Sequence, residues 1–470
     1  MMWRFDRFAA NTALIQEHGL SLAYKELDAE GRALCEAAGG RCLVFQLCGN
    51  NLGSFLGYAG FLENGIVPAM LDAGMGAEAL ESIYRAYRPR FLWAPEEYAH
   101  EGCFSIYRRF GYQLMQTPFG NAVQLHPDLA LLLTTSGSTG SPKFVRQSYR
   151  NIRVNTDSIV AYLALTDRER PITTLPMSYT YGLSIINSHL DVGATILLTD
   201  RSVTQKEFWS FFRKENATSF GGVPYTYEML DRMRFTRMPL PSLTTMTQAG
   251  GKLLPTLHER LARWCAETNR QFIVMYGQCE ATARMAYLPW EKSLEKAGSM
   301  GIAIPGGRFE LMDVEGEVVT EPFVTGELRY YGANVTMGYA ESAADLALGD
   351  ERHGMLDTGD MAQMDAEGYF TIVGRKKRFL KIFGNRVNLD EAERLIKAAF
   401  PDAECACGGM DDRLYLFAED ETLLTDMKAF LSERTGIHPS AFYTRALPVL
   451  PKNAAGKTLY KELEPYYERI

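Results

Sequence analysis

A chain of 470 residues with 46% hydrophobic and 23% charged side chains has an ordinary globular composition and is too long for one simple core, so at least two domains are expected. A formal charge of −8 offers no basic face for broad nucleic-acid binding, and no apolar run approaches the roughly 18 residues of a membrane span. The opening Met1-Met2-Trp3-Arg4-Phe5-Asp6-Arg7 lacks a signal peptide's apolar stretch, and the eight cysteines form no C-x-x-C pair, so reduced, mostly buried thiols in a cytoplasmic protein are expected.

In chain order, Leu20 to Ala37 predicts a turn into an amphipathic helix, with Leu34 and Ala38 on its apolar side. Arg41 to Cys48 reads as a strand, Leu52 to Leu62 as a helix and Gly65 to Asp72 as a second strand. That rhythm implies parallel βαβ units. Leu129 to Leu133 is a further buried strand, and it runs into Thr134-Thr135-Ser136-Gly137-Ser138-Thr139-Gly140-Ser141-Pro142-Lys143. Glycines let a backbone bring its N–H groups close to a ligand, hydroxyls add donors and Lys143 adds a charge, which suits a polyphosphate. The tract is not a Walker A loop, because its lysine follows Ser141-Pro142 and precedes Phe144. Phe144 to Gln147 reads as the return strand, and Ser148 as the cap of a helix with Ile152, Ile159 and Leu163 on its apolar side.

Leu175 to Leu183 carries Tyr179 and Tyr181, and Gly193 to Leu198 reads as another buried strand. Ser219 to Tyr225, with Gly222, is a strand end and turn before a helix through Tyr227, Leu230 and Met233. Thr247-Gln248-Ala249-Gly250-Gly251-Lys252 is a glycine-rich turn that would let a flat base approach the backbone. Phe272 to Tyr276 is a buried strand that delivers Tyr276, Gly277, Gln278, Cys279 and Glu280, and the Glu280 carboxylate suits a hard cation. Asp360 is expected to follow a turn, ahead of Gly368 to Arg375. A carboxylate in that place accepts both hydrogen bonds of a vicinal diol. Gly374-Arg375-Lys376-Lys377-Arg378 has the charge density of an exposed linker. Beyond it the pattern is α+β: Asn388 and Glu391 as a capping pair for a helix through Leu395 and Ile396, Pro401 as its stop, Arg413 to Ala418 as a strand, and Thr422 to Arg434 as a helix. Lys457 follows Gly456 on a final loop.

The decapeptide ending at Lys143 resembles the phosphate-binding signature of the adenylate-forming superfamily, which includes acyl-CoA synthetases, amino-acid adenylation domains and luciferases. Tyr276 to Glu280, Thr358 to Asp360 and Lys457 follow in the family's order, and the chain looks most like a bacterial acyl-CoA or acyl-carrier-protein ligase. The resemblance implies an α/β fold. Residues 1–376 would form a large domain of parallel sheets flanked by helices with a distorted β-barrel-like part, and residues 377–470 a small mobile α+β domain. It implies ATP and Mg2+, formation of an acyl-adenylate from a carboxylic acid, and transfer to the phosphopantetheine thiol of CoA or an acyl carrier protein.

By the same resemblance Thr135, Ser136, Gly137, Ser138, Thr139, Gly140 and Lys143 would hold the phosphates, with Thr139 and Glu280 on the metal. Gly250, Gly251, Tyr276, Gly277, Gln278, Cys279, Asp360 and Arg375 would hold the rest of the nucleotide. Tyr179, Tyr181, Gly222 and Ala249 would line the acyl pocket. Lys377 would be the hinge, Gly384 would line the thiol channel, and Lys457, Lys143 and Glu280 would be catalytic.

Two positions depart from relatives. Cys279 stands where threonine is usual. Thr180 stands where amino-acid adenylation domains often carry an aspartate to pair the substrate ammonium, which points away from an α-amino acid. An amino-acid adenylase, an inactive nucleotide-binding subunit and an enzyme that stops at the adenylate remain as alternatives.

Overall fold

The computed structural model describes every residue except 1, 4, 121–122, 135–142, 384, 453–455, 457 and 468–470, with backbone alone at Asn385 and Arg386. The chain forms two compact units: Met1–Phe309 with Tyr330–Leu356, and Glu310–Arg329 with Asp357–Ile470.

The first unit is built on an eight-stranded sheet in the order Gly338–Ala340, Phe144–Ser148, Leu129–Thr134, Val67–Asp72, Leu43–Cys48, Phe91–Pro95, Tyr112–Gln116, Phe104–Arg109. Its central four strands are parallel and its flanks antiparallel. Leu43–Cys48, the helix Leu52–Glu63 and Val67–Asp72 form the expected βαβ unit. Both strands are buried almost throughout, as their unbroken apolar runs require of a sheet covered on both faces. Asn51 caps that helix by accepting from the Ser54 amide at 3.0 Å. Ser148 caps the helix Tyr149–Leu163, in a reciprocal box with Asn151.

A second sheet runs Ser219–Gly222, Thr245–Gln248, Gln271–Tyr276, Ala286–Tyr287, Ile302–Ala303, with the first three strands parallel. The carboxyl ends of those three strands and the turns after them carry Gly222, Ala249 and Gly250, and Gly277 to Glu280. Ligand-binding residues gather at the carboxyl ends of strands in such sheets. A third, three-stranded sheet joins Ile196–Leu198, Thr12–Gln16 and Ser21–Ala23.

Most of the sheet Val318–Val319, Gly307–Met312, Gly326–Gly332, Met355–Met364, Phe370–Arg375 falls in the second unit. This sheet is open among the described residues, so the barrel-like part expected from the sequence is not a closed barrel. Downstream lie a hairpin, Phe379–Ile382 with Asn385–Asn388, and the sheet Cys405–Met410, Arg413–Ala418, Phe442–Ala446, packed by the helices Leu389–Ala399 and Leu424–Thr435. Two local expectations change here. Asn388 does cap its helix, accepting from the Asp390 and Glu391 amides, but the Glu391 carboxylate turns to Arg394 instead of closing a box. The basic run is not a simple solvated linker either. Arg378 is partly buried, with 12% of its side chain exposed, paired with Asp390 and with Glu393 at 2.7 Å, and its guanidinium lies 3.6 Å from the centre of the Tyr460 ring.

All eight cysteines are free. Burial raises the Cys35, Cys42 and Cys265 thiols to about 12, 11 and 12, so they stay protonated at neutral pH. Among the described residues no helix is long and apolar enough to cross a membrane.

Candidate active site

The hairpin Leu129–Thr134 with Phe144–Ser148 holds the two ends of the hydroxyl- and glycine-rich tract side by side, with Thr134 opposite Phe144. Thr135, Ser136, Gly137, Ser138, Thr139 and Gly140 lie outside the described residues. Lys143 is described, and it leads to a residue whose role the sequence did not reveal. The short strand Gly338–Ala340 pairs with the return strand, Tyr339 opposite Val145. The Lys143 ammonium sits 3.9 Å from the centre of the Tyr339 ring. The Tyr339 hydroxyl donates to Glu280 Oε1 at 2.7 Å. Burial and the neighbouring Glu280 charge push that hydroxyl up to about 12, so it remains a donor across the physiological range.

Glu280 is held twice over. Its backbone carbonyl accepts from the Thr336 amide, the Thr336 hydroxyl and Arg352 Nη1, each at 3.0 Å. Arg352 also lies 4.6 Å from the Tyr339 ring centre. Glu280 Oε2 accepts nothing from the described residues. Among those residues no group of three or more His, Cys, Asp or Glu side chains could cage a metal ion. One carboxylate with a spare oxygen, beside a lysine and the end of a phosphate-suited loop, fits Mg2+, which takes one or two carboxylates and otherwise water and phosphate oxygens.

Glu280 and the adenine candidate Tyr276 are delivered by one turn. Gly277 makes that turn possible: a Cβ there would lie 1.6 Å from the Ala283 carbonyl oxygen. The backbone folds back over it through Thr282 and Ala283, whose φ angles of 52° and 85° are left-handed. Gln278 Nε2 donates to the Tyr276 hydroxyl at 3.2 Å. Burial first, and Glu280 second, raise the Cys279 thiol well above its ordinary value, and the Thr180 hydroxyl is its hydrogen-bonding neighbour. The residue in the usual threonine position is therefore a neutral, weak donor.

The acyl-pocket candidates also gather in this unit. Leu175, Tyr181, Val223, Ala249, Ile273 and Met275 form a buried cluster with Tyr179, Tyr162, Ile185 and Tyr287 packed on it. Tyr181 is buried and bonded to the Thr247 hydroxyl at 2.7 Å, whereas Tyr179 is only partly buried, at the N-terminus of the helix Thr180–Asp191. The Tyr179 hydroxyl would lie 2.5 Å from a Cβ at Gly250, where φ is +84°, so only glycine fits that turn. Gly251 backs onto Pro224, and Gly222 onto Tyr227 and Thr226. Arg284, unremarked in the sequence, is buried beneath this cluster, its guanidinium 5.3 Å from the Tyr181 ring centre.

In the second unit Asp360 lies within the strand Met355–Met364 rather than after a turn, and it is 2% exposed. Its cross-strand partner is Arg375, whose Nε reaches its carboxylate at 2.6 Å. Lys377 sits in the single turn Lys376–Arg378 between two strands. Gly384 and Lys457 lie outside the described residues.

The pattern of the AMP-binding enzyme family matches residues 3–340. Oxalate–CoA ligase of Arabidopsis thaliana is 28% identical over 347 residues, 71% of this chain and 66% of that protein, just under two thirds of its length. The 2-succinylbenzoate–CoA ligase of Bacillus subtilis is 27% identical over 347 residues, covering 71% and 68%. Among solved structures, the o-succinylbenzoate CoA synthetase of Bacillus subtilis in complex with ATP and magnesium ion superposes with a TM-score of 0.77 at 21% identity, covering 98% of each chain. At that identity the likeness establishes the fold: a mixed α/β large part and a smaller C-terminal part.

Proposed function

Because the chain belongs to the AMP-binding enzyme family, we propose that it uses ATP to convert a carboxylic acid to an acyl-adenylate, with release of pyrophosphate, and then passes the acyl group to the phosphopantetheine thiol of CoA. The observation that carries this reading is the Lys143–Tyr339–Glu280 chain of contacts, which ties the end of the phosphate-suited tract to the metal-suited carboxylate. An acyl carrier protein is the finer alternative acceptor. The eight free thiols favour a reducing compartment such as the cytoplasm.

A carboxylate and a triphosphate repel each other, and adenylation needs them in contact. Lys143 and the hydroxyl-rich tract would hold the β- and γ-phosphates, and Glu280 would hold Mg2+. The metal ion, when bound, supplies charge neutralisation between phosphates. Tyr339 orients Glu280 by its hydrogen bond and leaves Oε2 directed elsewhere. Tyr276 would stack on adenine, and Asp360 would accept the ribose hydroxyls. Tyr179, beside Gly250, would gate the acid. Lys457 would bring the carboxylate to the α-phosphorus, an effect of proximity and charge. Carboxylate oxygen attacks, the α–β phosphoanhydride bond breaks and pyrophosphate leaves. In the second half the thiol sulfur attacks the acyl carbon, loses its proton and expels AMP. Rotation of residues 377–470 about Lys377 would exchange the two half-sites.

An amino-acid substrate is disfavoured twice: Thr180 offers no counter-charge for an ammonium, and Arg284 puts a cation under the pocket wall. The test is pyrophosphate exchange over a panel of acids, followed by CoA as acceptor. Exchange driven by plain carboxylic acids and thioester formation with CoA are expected; exchange driven by amino acids alone would reverse the reading. Tyr339→Phe, which keeps the ring under Lys143 and Arg352 but drops the hydrogen bond, is expected to slow exchange about 10-fold, the scale of one hydrogen bond to a charged group. The loss should fall on kcat and on the Mg2+ requirement rather than on the acid's KM; a change confined to the acid's KM would assign Tyr339 to the acyl side instead.

A further inference from the structure

We propose that Arg284 selects acids bearing a second carboxylate, remote from the one that is activated, so that the preferred substrates are dicarboxylic acids. The inference rests on the acid-activating reading above. Arg146 and Arg284 are the two arginines fully buried among the described residues, at 0% and 2% exposure. Arg146 is neutralised in place: its guanidinium binds the Glu351 carboxylate and the carbonyls of Tyr339, Leu348, Gly349 and Met337. Arg284 has no such partner. Its Nε donates to the Ser184 hydroxyl at 3.0 Å, and its Nη1 to the Tyr162 hydroxyl at 3.0 Å and the Met275 thioether at 3.3 Å. Its Nη2 donates to no described residue, and no carboxylate of those residues pairs with it.

A buried guanidinium surrounded by two hydroxyls, a thioether and an aromatic face is solvated but not neutralised. Its surroundings are those of the acyl cluster: Tyr181 under it, Met275 against it, and Tyr162 stacked on Tyr287 at 4.3 Å. It is also held firmly, since Ser184 is tied in turn to the Tyr181 carbonyl at 2.7 Å. The turn that presents Glu280 continues into Arg284, so the reacting end and this cation stand on one short segment. With Nε and Nη1 engaged, the Nη2 group is left to donate a charge-assisted hydrogen bond to a carboxylate. An acid with one carboxylate and an apolar tail would instead leave the charge unanswered.

The experiment compares straight-chain monocarboxylic acids with α,ω-dicarboxylic acids of equal length, and benzoate with carboxylated benzoates, by kcat/KM for pyrophosphate release. The wild-type protein is expected to favour the diacid of the best pair by on the order of 100-fold, as for a desolvated charge pair. Arg284→Gln should collapse that ratio to about threefold or less, and Arg284→Lys, which keeps the charge but not the bonds to both Ser184 and Tyr162 that hold it in place, should retain about a tenth of it. Equal losses on both members of each pair in R284Q, or a wild-type protein that takes monoacids as well as diacids, overturns the assignment. The wild-type ratio decides alone if R284Q does not fold. If ATP binds calorimetrically yet no acid of either series releases pyrophosphate, the acid-activating reading itself falls, and this inference with it.

Discussion

Glu280→Ala is expected to lower acid-dependent pyrophosphate exchange by about 1,000-fold in a protein that still folds, close to 4 kcal/mol of transition-state stabilisation. The fold should survive because the main chain, not the side chain, anchors this residue. Thr336 and Arg352 together give three hydrogen bonds to the Glu280 carbonyl, and alanine keeps that carbonyl. The side chain contributes one hydrogen bond, from Tyr339, and a partly exposed charge. What alanine removes is therefore the anionic oxygen pair beside Lys143. Glu280→Gln separates the two contributions. It keeps an acceptor for Tyr339 but loses the charge, and it should be nearly as slow as alanine if holding Mg2+ is the task. Exchange is followed over a Mg2+ titration, with thermal unfolding alongside. A variant that recovers more than a tenth of wild-type exchange at saturating Mg2+, with an unchanged metal requirement, would remove Glu280 from the metal site.

The local parts of this architecture were legible because their causes are local. The βαβ unit from Leu43 to Asp72 announces itself by unbroken apolar runs, and the Ser148 cap by a hydroxyl ahead of an amphipathic helix. Tyr276-Gly277-Gln278-Cys279-Glu280 could be read as a strand running into a functional turn because the chemistry is contiguous. Tyr339 and Arg352 could not be, since they reach Glu280 from 59 and 72 residues away, through a strand pairing that no periodicity encodes. Nothing in the sequence around Arg284 marks it; only burial without a carboxylate sets it apart. The local structure around Asp360 differs from its sequence pattern, because Thr-Gly-Asp reads as a turn and a long antiparallel strand absorbs it through Gly359 at φ +69°. Arg378 failed in the other direction. Charge density suggested solvent, but Asp390, Glu393 and Tyr460, all later in the chain, enclose it. The open sheet around Met355–Met364 depends on strand closure, a property of the whole sheet rather than of any one segment.

Lys457→Ala should separate the two halves of the reaction. Adenylate formation is expected to fall by about 1,000-fold, and thioester formation from a supplied acyl-adenylate and CoA by no more than about threefold. In adenylation two anions meet, and a cation that touches both removes the repulsion and fixes the angle of attack. In thioester formation the carboxylate charge is gone and a neutral acyl carbon meets a sulfur, so the repulsion between two anions that the lysine offset no longer has to be overcome. Lys457 itself lies outside the described residues, but the base of its loop is fixed. Lys452 pairs with Thr458 in an antiparallel bridge, and the Leu459 amide donates to the Pro451 carbonyl at 2.8 Å. Lys452 is engaged by Glu404 at 2.6 Å, so the neighbouring lysine on the same loop is already tied within its own unit. Single-turnover assays of each half-reaction make the comparison directly. Equal loss in both would mean that Lys457 serves a single geometry common to the two steps, and the exchange of half-sites about Lys377 would have to be abandoned.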